Sequence, residues 1–151
     1  MVALTYIGIF AFVVLMASMS WTAGTQQSLS SLAKRWRCLL LVALWSQVLI
    51  LPAMIDVTPE GWRWLAAVGI AGVVFAGATN VWDKADEWVH IIAAVVAFTM
   101  MAGWVMVVDS VCLLPLIVCI AAGRERWKWR VEVGLVISVY MALIRGLGVT
   151  L

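Results

Sequence analysis

Residues 62–109 decide the fold, and they read WRWLAAVGIAGVVFAGATN (62–80), VWDKADEW (81–88) and VHIIAAVVAFTMMAGWVMVVD (89–109). Two apolar segments rich in small residues flank a short acidic loop. His90, the only histidine of the chain, follows that loop. Each apolar segment has close to the roughly 20 residues that an α-helix needs to cross a bilayer. The stretch therefore predicts a pair of membrane-spanning helices against which the rest of the chain packs.

The composition indicates an integral membrane protein. Of the 151 residues, 66% are hydrophobic and 12% are charged, and the mean hydropathy is +1.09. Soluble domains have about 45–50% apolar and about 25% charged residues, so a water-soluble fold would lack polar residues to cover its surface. The apolar runs do not alternate as the strands of a membrane β-barrel do. Since spans in lipid satisfy their own backbone hydrogen bonds, an all-α bundle is predicted.

Six apolar stretches define the predicted spans of a single integral-membrane domain, residues 1–151. They cover about residues 3–19, 38–55, 62–79, 86–103, 107–122 and 131–147. No Lys or Arg precedes the first span, which favours a retained helix over a cleaved signal peptide. The fifth span contains Pro115 and would rise only about 18 Å if it began at Val111. It therefore either begins near Val107 or is a short, kinked span that thins the bilayer locally.

Basic residues set the predicted orientation through the positive-inside rule. With six spans, the first, third and fifth loops lie on one side of the membrane. These loops contain eight of the ten basic residues: Lys34, Arg35, Arg37, Lys84, Arg124, Arg126, Lys128 and Arg130. Arg63 and Arg145 fall on the other side. We therefore expect both termini outside and a multi-pass location in the cell (inner) membrane.

Small residues predict where helices approach closely. The third span contains Ala67, Ala71, Gly72, Ala76 and Gly77, and the fourth contains Ala93, Ala94 and Ala97. Because small residues four apart let helix backbones come together, these two spans are predicted to make the tightest contact of the bundle. The same faces are candidates for contact with a second copy or with another membrane protein. The expected partner is otherwise the lipid bilayer, and no basic face suits nucleic acid.

Glu87, His90 and Glu132 form the candidate polar cluster. Glu87 and His90 are three residues apart and share a helix face, and Glu132 lies in the first turn of the last span at a similar predicted depth. Ionisable residues inside a span are costly and mark functional sites. Either the cluster passes protons or binds a cation, or its members are structural. In the structural case Glu87 lies in the loop, His90 bonds a neighbouring helix, and Glu132 pairs with Arg130 or Lys128.

Other polar residues are predicted to act in packing. Trp45, Ser46 and Gln47 make a secondary polar insertion in the second span, which we expect to bond across helices, with a substrate contact as the alternative. Most of the ten tryptophans fall at predicted span ends, as interfacial belts do, whereas Trp45 and Trp104 lie within spans. On the outer side, Asp109 is expected to pair with Arg145, and Asp56 or Glu60 with Arg63.

Four phrases carry a resemblance to known proteins: VTPE (57–60), WLAAVGIAGVVFAGA (64–78), EWVHIIAA (87–94) and WKWRVEV (127–133). Together they resemble a group of small, uncharacterised multi-span membrane proteins of gut bacteria and their phages. The resemblance extends from about Pro52 to the C-terminus. It implies the six-span arrangement and no catalytic motif.

The sequence contains no pattern typical of an enzyme. A single histidine excludes a multi-histidine metal site, and no Ser or Cys has an evident base beside it. We therefore expect no catalytic residue, no cofactor and no metal. The sequence favours a membrane-embedded protein of structural or interaction type. One alternative is a small proton- or cation-linked carrier that uses the Glu/His cluster, and another is a phage-type pore former.

Overall fold

The computed structural model describes residues 2–23, 33–79, 87–122 and 126–148, and for residues 2, 19, 20, 22, 23, 33–37 and 87 it describes the backbone alone. These residues form an all-helical bundle without strands, which confirms the predicted fold class. Its helices are α1 (Val2–Ala23), α2 (Ala33–Ser46), α3 (Leu51–Val57), α4 (Arg63–Thr79), α5 (Glu87–Asp109), α6 (Leu114–Ala121) and α7 (Trp127–Gly146).

Three stretches of the described chain are long and apolar enough to cross a membrane: Cys38–Val57, Glu60–Thr79 and Trp88–Ala121. They identify a membrane protein, as the composition predicted. The six predicted spans outnumber these three stretches for physical reasons. The apolar part of α1, Ala3–Ser18, is shorter, α7 contains charged residues in its first and last turns, and α6 belongs to the third stretch.

The stretch Trp88–Ala121 is two helices because the chain leaves the helical conformation at Asp109. This residue has φ −160° and ψ 98°, and its carboxylate accepts a hydrogen bond from the backbone N–H of Val111 at 3.1 Å. The fourth predicted span thus extends to Asp109 instead of ending near Gly103. Val107, the predicted start of the fifth span, belongs to α5.

After this break, α6 packs side by side with α7, the helix that follows it in the chain. At one end, Asp109 Oδ2 lies 2.9 Å from Arg145 Nε. Toward the other end, a Cβ atom on Gly134 would lie 3.0 Å from Leu116 Cα and 2.9 Å from Cys119 Cβ, so the two backbones are in contact there. Residue numbers rise along α6 as they fall along α7, which makes the two helices antiparallel.

Each of two prolines follows a short 3₁₀ turn. Pro52 has no N–H to donate to the carbonyl four residues earlier, and its ring crowds that carbonyl. The preceding turn, Gln47–Ile50, is accordingly 3₁₀, and the N–H of Leu51 donates to Val48 O, three residues back. The turn before Pro115 is built in the same way. The kink predicted for the fifth span therefore lies at its beginning.

Contact between α4 and α5 is the most extensive between two helices of the described chain, in line with the prediction for the third and fourth spans. The two helices are antiparallel. A Cβ atom on Gly72 would lie 3.0 Å from Ala97 Cα, and one on Gly69 would lie 3.0 Å from Met101 Sδ. Small residues thus bring the backbones together, because lipid offers no hydrophobic driving force and packing must hold the helices.

Polar contacts fix the end of the bundle where α3 meets α4. The side chain of Trp104 is fully buried, and its indole Nε1–H donates to Thr58 Oγ1 at 2.7 Å. The Thr58 hydroxyl in turn donates to the carbonyl of Met54. Nearby, Arg63 Nη1 lies 3.6 Å from Glu60 Oε1, so Glu60 is the partner that Arg63 takes. A buried indole N–H needs a hydrogen-bond partner, and Thr58 is that partner for Trp104.

Gly72→Ala is expected to destabilise the protein, because the new methyl group would press on backbone atoms of Ala97 that cannot yield as a side-chain tip can. Overpacking of this kind costs about 1–3 kcal/mol. The free energy of unfolding in a denaturing detergent titration, followed by circular dichroism, measures it. Gly103→Ala is the matched control, since its nearest new contact is Leu65 at 3.8 Å. If both variants unfold at the same detergent fraction, the α4–α5 contact is not the constraint described here.

Candidate functional site

A cavity of about 180 Å³ lies among α1, α2, α4, α5 and α7. Its wall consists of aliphatic and aromatic side chains with two exceptions, His90 of α5 and Glu132 of α7. Both side chains are partly buried. Two of the three residues in the sequence-predicted cluster therefore meet at one cavity.

Helix direction explains why these two side chains come together. α5 and α7 are neighbours, and the Asp109–Arg145 pair joins their C-terminal ends. Because His90 and Glu132 both lie near the start of their helices and line one cavity, α5 and α7 run parallel. Spacing of four and seven residues puts Ala94 and Ala97 on the same face of α5 as His90, and both alanines also line the cavity.

Hydrogen bonds to α4 orient the His90 ring. Its Nδ1 lies 3.0 Å from the carbonyl oxygen of Ala76 and 3.2 Å from Thr79 Oγ1. The Thr79 hydroxyl donates to the same carbonyl at 2.8 Å. Since a carbonyl oxygen only accepts, Nδ1 carries a proton, and this network assigns the tautomer. In the neutral ring, Nε2 is then the nitrogen with a free lone pair.

Glu132 supplies the acidic group of the cavity wall. Glu132 also makes a further interaction within the chain. On the same helix, Arg130 Nη1 donates to the carbonyl of Ala122 at 2.6 Å and so joins the start of α7 to the end of α6. The third cluster residue, Glu87, begins α5, but its side chain lies outside the described part of the chain, as do residues 80–86 of the acidic loop.

The secondary polar insertion divides into two parts. Trp45 is 59% exposed on the outside of the bundle. Ser46 and Gln47 are buried and make bonds across helices, as the sequence predicted. The Ser46 hydroxyl lies 2.6 Å from Ala43 O and 3.3 Å from Gly8 O, to which it donates.

Tyr140 of α7 is a further partner of this buried polar pair, Ser46 and Gln47. Its hydroxyl donates to Gln47 Oε1 at 2.9 Å, and Gln47 Nε2 donates to Ser46 Oγ at 3.4 Å. The Tyr140 ring meets Phe12 edge to face, with centroids 6.1 Å apart and an interplanar angle of 85°. Since Phe12 also lines the cavity, Tyr140 and its hydrogen bonds support this part of the cavity wall. The sequence could have indicated Tyr140, because a tyrosine within an apolar span needs a partner for its hydroxyl.

The described residues contain no group of three or more His, Cys, Asp or Glu side chains arranged to hold a metal ion. Comparison of the chain with protein-family models, curated proteins and solved structures finds no match. The resemblance to small multi-span proteins of gut bacteria and phages therefore stays a prediction. The chemistry of the site is inferred from its own geometry.

Neutral His90 is expected to be the Nδ1–H tautomer, because Nδ1 must donate to the Ala76 carbonyl. His90 is the only histidine, so ¹⁵N-histidine labelling gives one pair of imidazole signals and needs no assignment. The measurement is ¹⁵N NMR of the protein in bilayers at a pH where the ring is neutral, with the detergent-unfolded protein as the reference. A dominant Nε2–H tautomer in the folded protein would contradict the hydrogen-bond scheme.

Proposed function

We propose that the protein is a six-span carrier of the cell (inner) membrane, with both termini outside, that links transport to a proton or a cation. The observation that carries this proposal is the meeting of His90 and Glu132 at one cavity. The two residues come from different helices and share a wall that is otherwise apolar. Such placement of ionisable groups within a membrane protein is typical of ion and substrate pathways.

Reversals of chain direction support six crossings. Gly8 of α1 contacts Ile50, while Phe12 and Leu40 lie together at the cavity, so α1 and α2 are antiparallel. Gly77 lies against Leu44, and the turn after α3 leads directly into α4. α4 and α5 are antiparallel, and α6 runs back along α7. If α2 and α3 are counted as one crossing, the direction changes at every connection.

Charge placement supports the orientation. His90 and Glu132 lie at the end of the bundle where α7 begins, together with Lys128 and Arg130. The opposite end contains the Asp109–Arg145 pair. The positive-inside rule places the first of these ends in the cytoplasm. The cavity then lies at the inner end, as proposed for the Glu/His cluster.

The fifth crossing requires a thin region of bilayer. From Ser110 to Ala121 the chain contains a 3₁₀ turn and a short helix, which together rise about 20 Å. The hydrocarbon core is roughly 30 Å thick. Short spans are accommodated by local thinning, at a cost of a fraction of a kcal/mol per Å. α6 is therefore the crossing at which we propose the bilayer adapts.

The carrier fits the geometry better than the structural role that the sequence favoured. A structural protein that binds partners through the small residues of the third and fourth spans would need those faces free. Within the chain Gly72 and Ala97 already pack against each other, and the exposed small residues of α4 are Ala67 and Ala71. A pore former would need a polar pathway, whereas the cavity wall is mostly apolar. The carrier uses the residues that the fold brings together.

Topology is tested by cysteine labelling in a background that lacks Cys38, Cys112 and Cys119. Glu60→Cys should react with a membrane-impermeant maleimide in intact spheroplasts, because the Glu60 side chain is 89% exposed at the proposed outer end. Lys34→Cys should react only after permeabilisation. Labelling of position 34 from outside alone would overturn the orientation.

Transport is tested by flux into liposomes that contain the purified protein and a pH-sensitive dye. Glu132→Gln keeps the shape of the side chain and removes its charge, so flux driven by a proton or cation gradient should fall about tenfold or more, which corresponds to about 1.4 kcal/mol. Glu60→Gln is the control, since the Glu60 side chain is exposed and lies at the opposite end of the bundle from the cavity. Equal flux from Glu132→Gln and the parent protein would refute the carrier proposal. Release of a trapped larger dye would instead favour the pore former.

A further inference from the structure

The chemistry of the cavity wall points to the class of ligand, and this inference rests on the proposed carrier function. We infer that the cavity binds a small organic cation, namely an amine or ammonium group attached to an apolar body of about one six-membered ring. Glu132 is the counter-ion of the cationic group. His90 Nε2 accepts a hydrogen bond from it.

Charge is the first reason. With His90 neutral, Glu132 is the one charged side chain among the described residues that line the cavity. A carboxylate in a largely apolar site is stable when it has partners. Glu132 already makes one interaction within the chain, and a cationic ligand would be a further partner. An anionic ligand would face the same carboxylate across apolar walls and be repelled.

Coordination excludes a bare inorganic cation as the main ligand. Hard cations such as Ca²⁺ take six to eight oxygen ligands, and Mg²⁺ requires a near-octahedral set. Beyond Glu132 and His90, the side chains that line the cavity are hydrocarbon or thioether groups, and they cannot replace a hydration shell. An organic cation needs fewer polar partners, because its carbon atoms fill the rest of the space.

The apolar wall matches the body of such a ligand. Phe12 of α1 and Phe98 of α5 both line the site, and Met16 adds a polarisable thioether. Aromatic faces attract cations, and methionine adapts to irregular shapes. The volume of about 180 Å³ slightly exceeds the roughly 150 Å³ of an apolar cavity that holds benzene. One ring with a short aminomethyl arm fits this space.

Hydrogen bonding gives His90 a defined part in recognition. Because Nδ1 donates to the Ala76 carbonyl, neutral Nε2 has the lone pair that can accept an N–H of the ligand. A proton on Nε2 removes this acceptor and adds a positive charge near the ligand. The ligand and the proton therefore compete for the site, which is the coupling that a proton-linked exchanger needs.

Among the described residues, one charged side chain lines the cavity beside His90. Glu132 on α7 lines the same cavity. Glu87 lies one turn away on α5 itself, and the basic residues 34, 35 and 37 begin α2, but these side chains lie outside the described part. The residues of α4 that contact the ring are Ala76 and Thr79, neither of which titrates. From α1, the residues at the cavity are Phe12 and Met16.

The test is equilibrium dialysis of radiolabelled benzylammonium against the full-length protein in nanodiscs of neutral phosphatidylcholine. Unlabelled benzyl alcohol and benzoate serve as competitors with the same ring and a different charge. Benzylammonium should bind at least about tenfold more tightly than either competitor, and Glu132→Gln should weaken its binding about tenfold. Glu60→Gln should leave binding unchanged. Equal competition by benzyl alcohol, tighter binding of benzoate, or unchanged binding to Glu132→Gln overturns the inference.

Two further variants make the test independent of the folding of Glu132→Gln. Ala94→Leu adds volume at the wall and should abolish binding without altering charge. His90→Phe keeps a ring at the wall, removes the Nε2 acceptor and should weaken binding several-fold. Unchanged affinity of Ala94→Leu or of His90→Phe overturns the inference.

Failure of this inference is distinguishable from failure of the carrier proposal. If benzylammonium binds as described but flux does not depend on Glu132, the site is a cation-binding site and the carrier proposal fails. If flux depends on Glu132 and benzylammonium does not bind, the ligand class is wrong while the proton-linked carrier stands.

Discussion

The close approach of α4 and α5 at Gly72 and Ala97 is the constraint on which the rest of the bundle depends. With no side chain at position 72, the two backbones touch, and in lipid such packing takes the place of the hydrophobic effect between helices. One turn along α4, the carbonyl of Ala76 then comes within hydrogen-bond distance of His90. The contact that holds the helices together therefore also orients the one imidazole of the site.

The two ends of the bundle differ in how they are held. At one end, Trp104 bonds Thr58, and Asp109 pairs with Arg145, so polar contacts join α5 to the end of α3 and to α7. At the other end the helices surround a cavity. The Tyr140–Gln47 bond lies between these regions and ties α7 to the second crossing. The proposed binding site thus lies at the end of the bundle opposite these polar contacts.

The sequence predicted the helices of this fold better than it predicted which helices lie side by side. Gly72 and Ala97 indicated a close α4–α5 contact, because small residues at helical spacing can be recognised within each segment alone and allow close packing. The adjacency of α5 and α7 had no such signal, since apolar faces look alike whether they meet lipid or protein. For the same reason Trp45 and Trp104, both within spans, gave no indication that the first is exposed and the second fully buried. The end of α5 at Asp109 depends on one backbone torsion within a continuous apolar run.

The Asp109–Arg145 pair has a consequence for biogenesis. Chains emerge from the ribosome N-terminal part first, so the turn between α5 and α6 is made while Arg145 is still to be added. Until α7 arrives, the Asp109 carboxylate at that turn has the backbone N–H of Val111 as a partner but not the guanidinium that pairs with it in the finished bundle. Synthesis of α7 therefore supplies the cation that pairs with an acidic residue placed by the earlier helices, and the turn between α5 and α6 gains this contact after the rest of the bundle has been made.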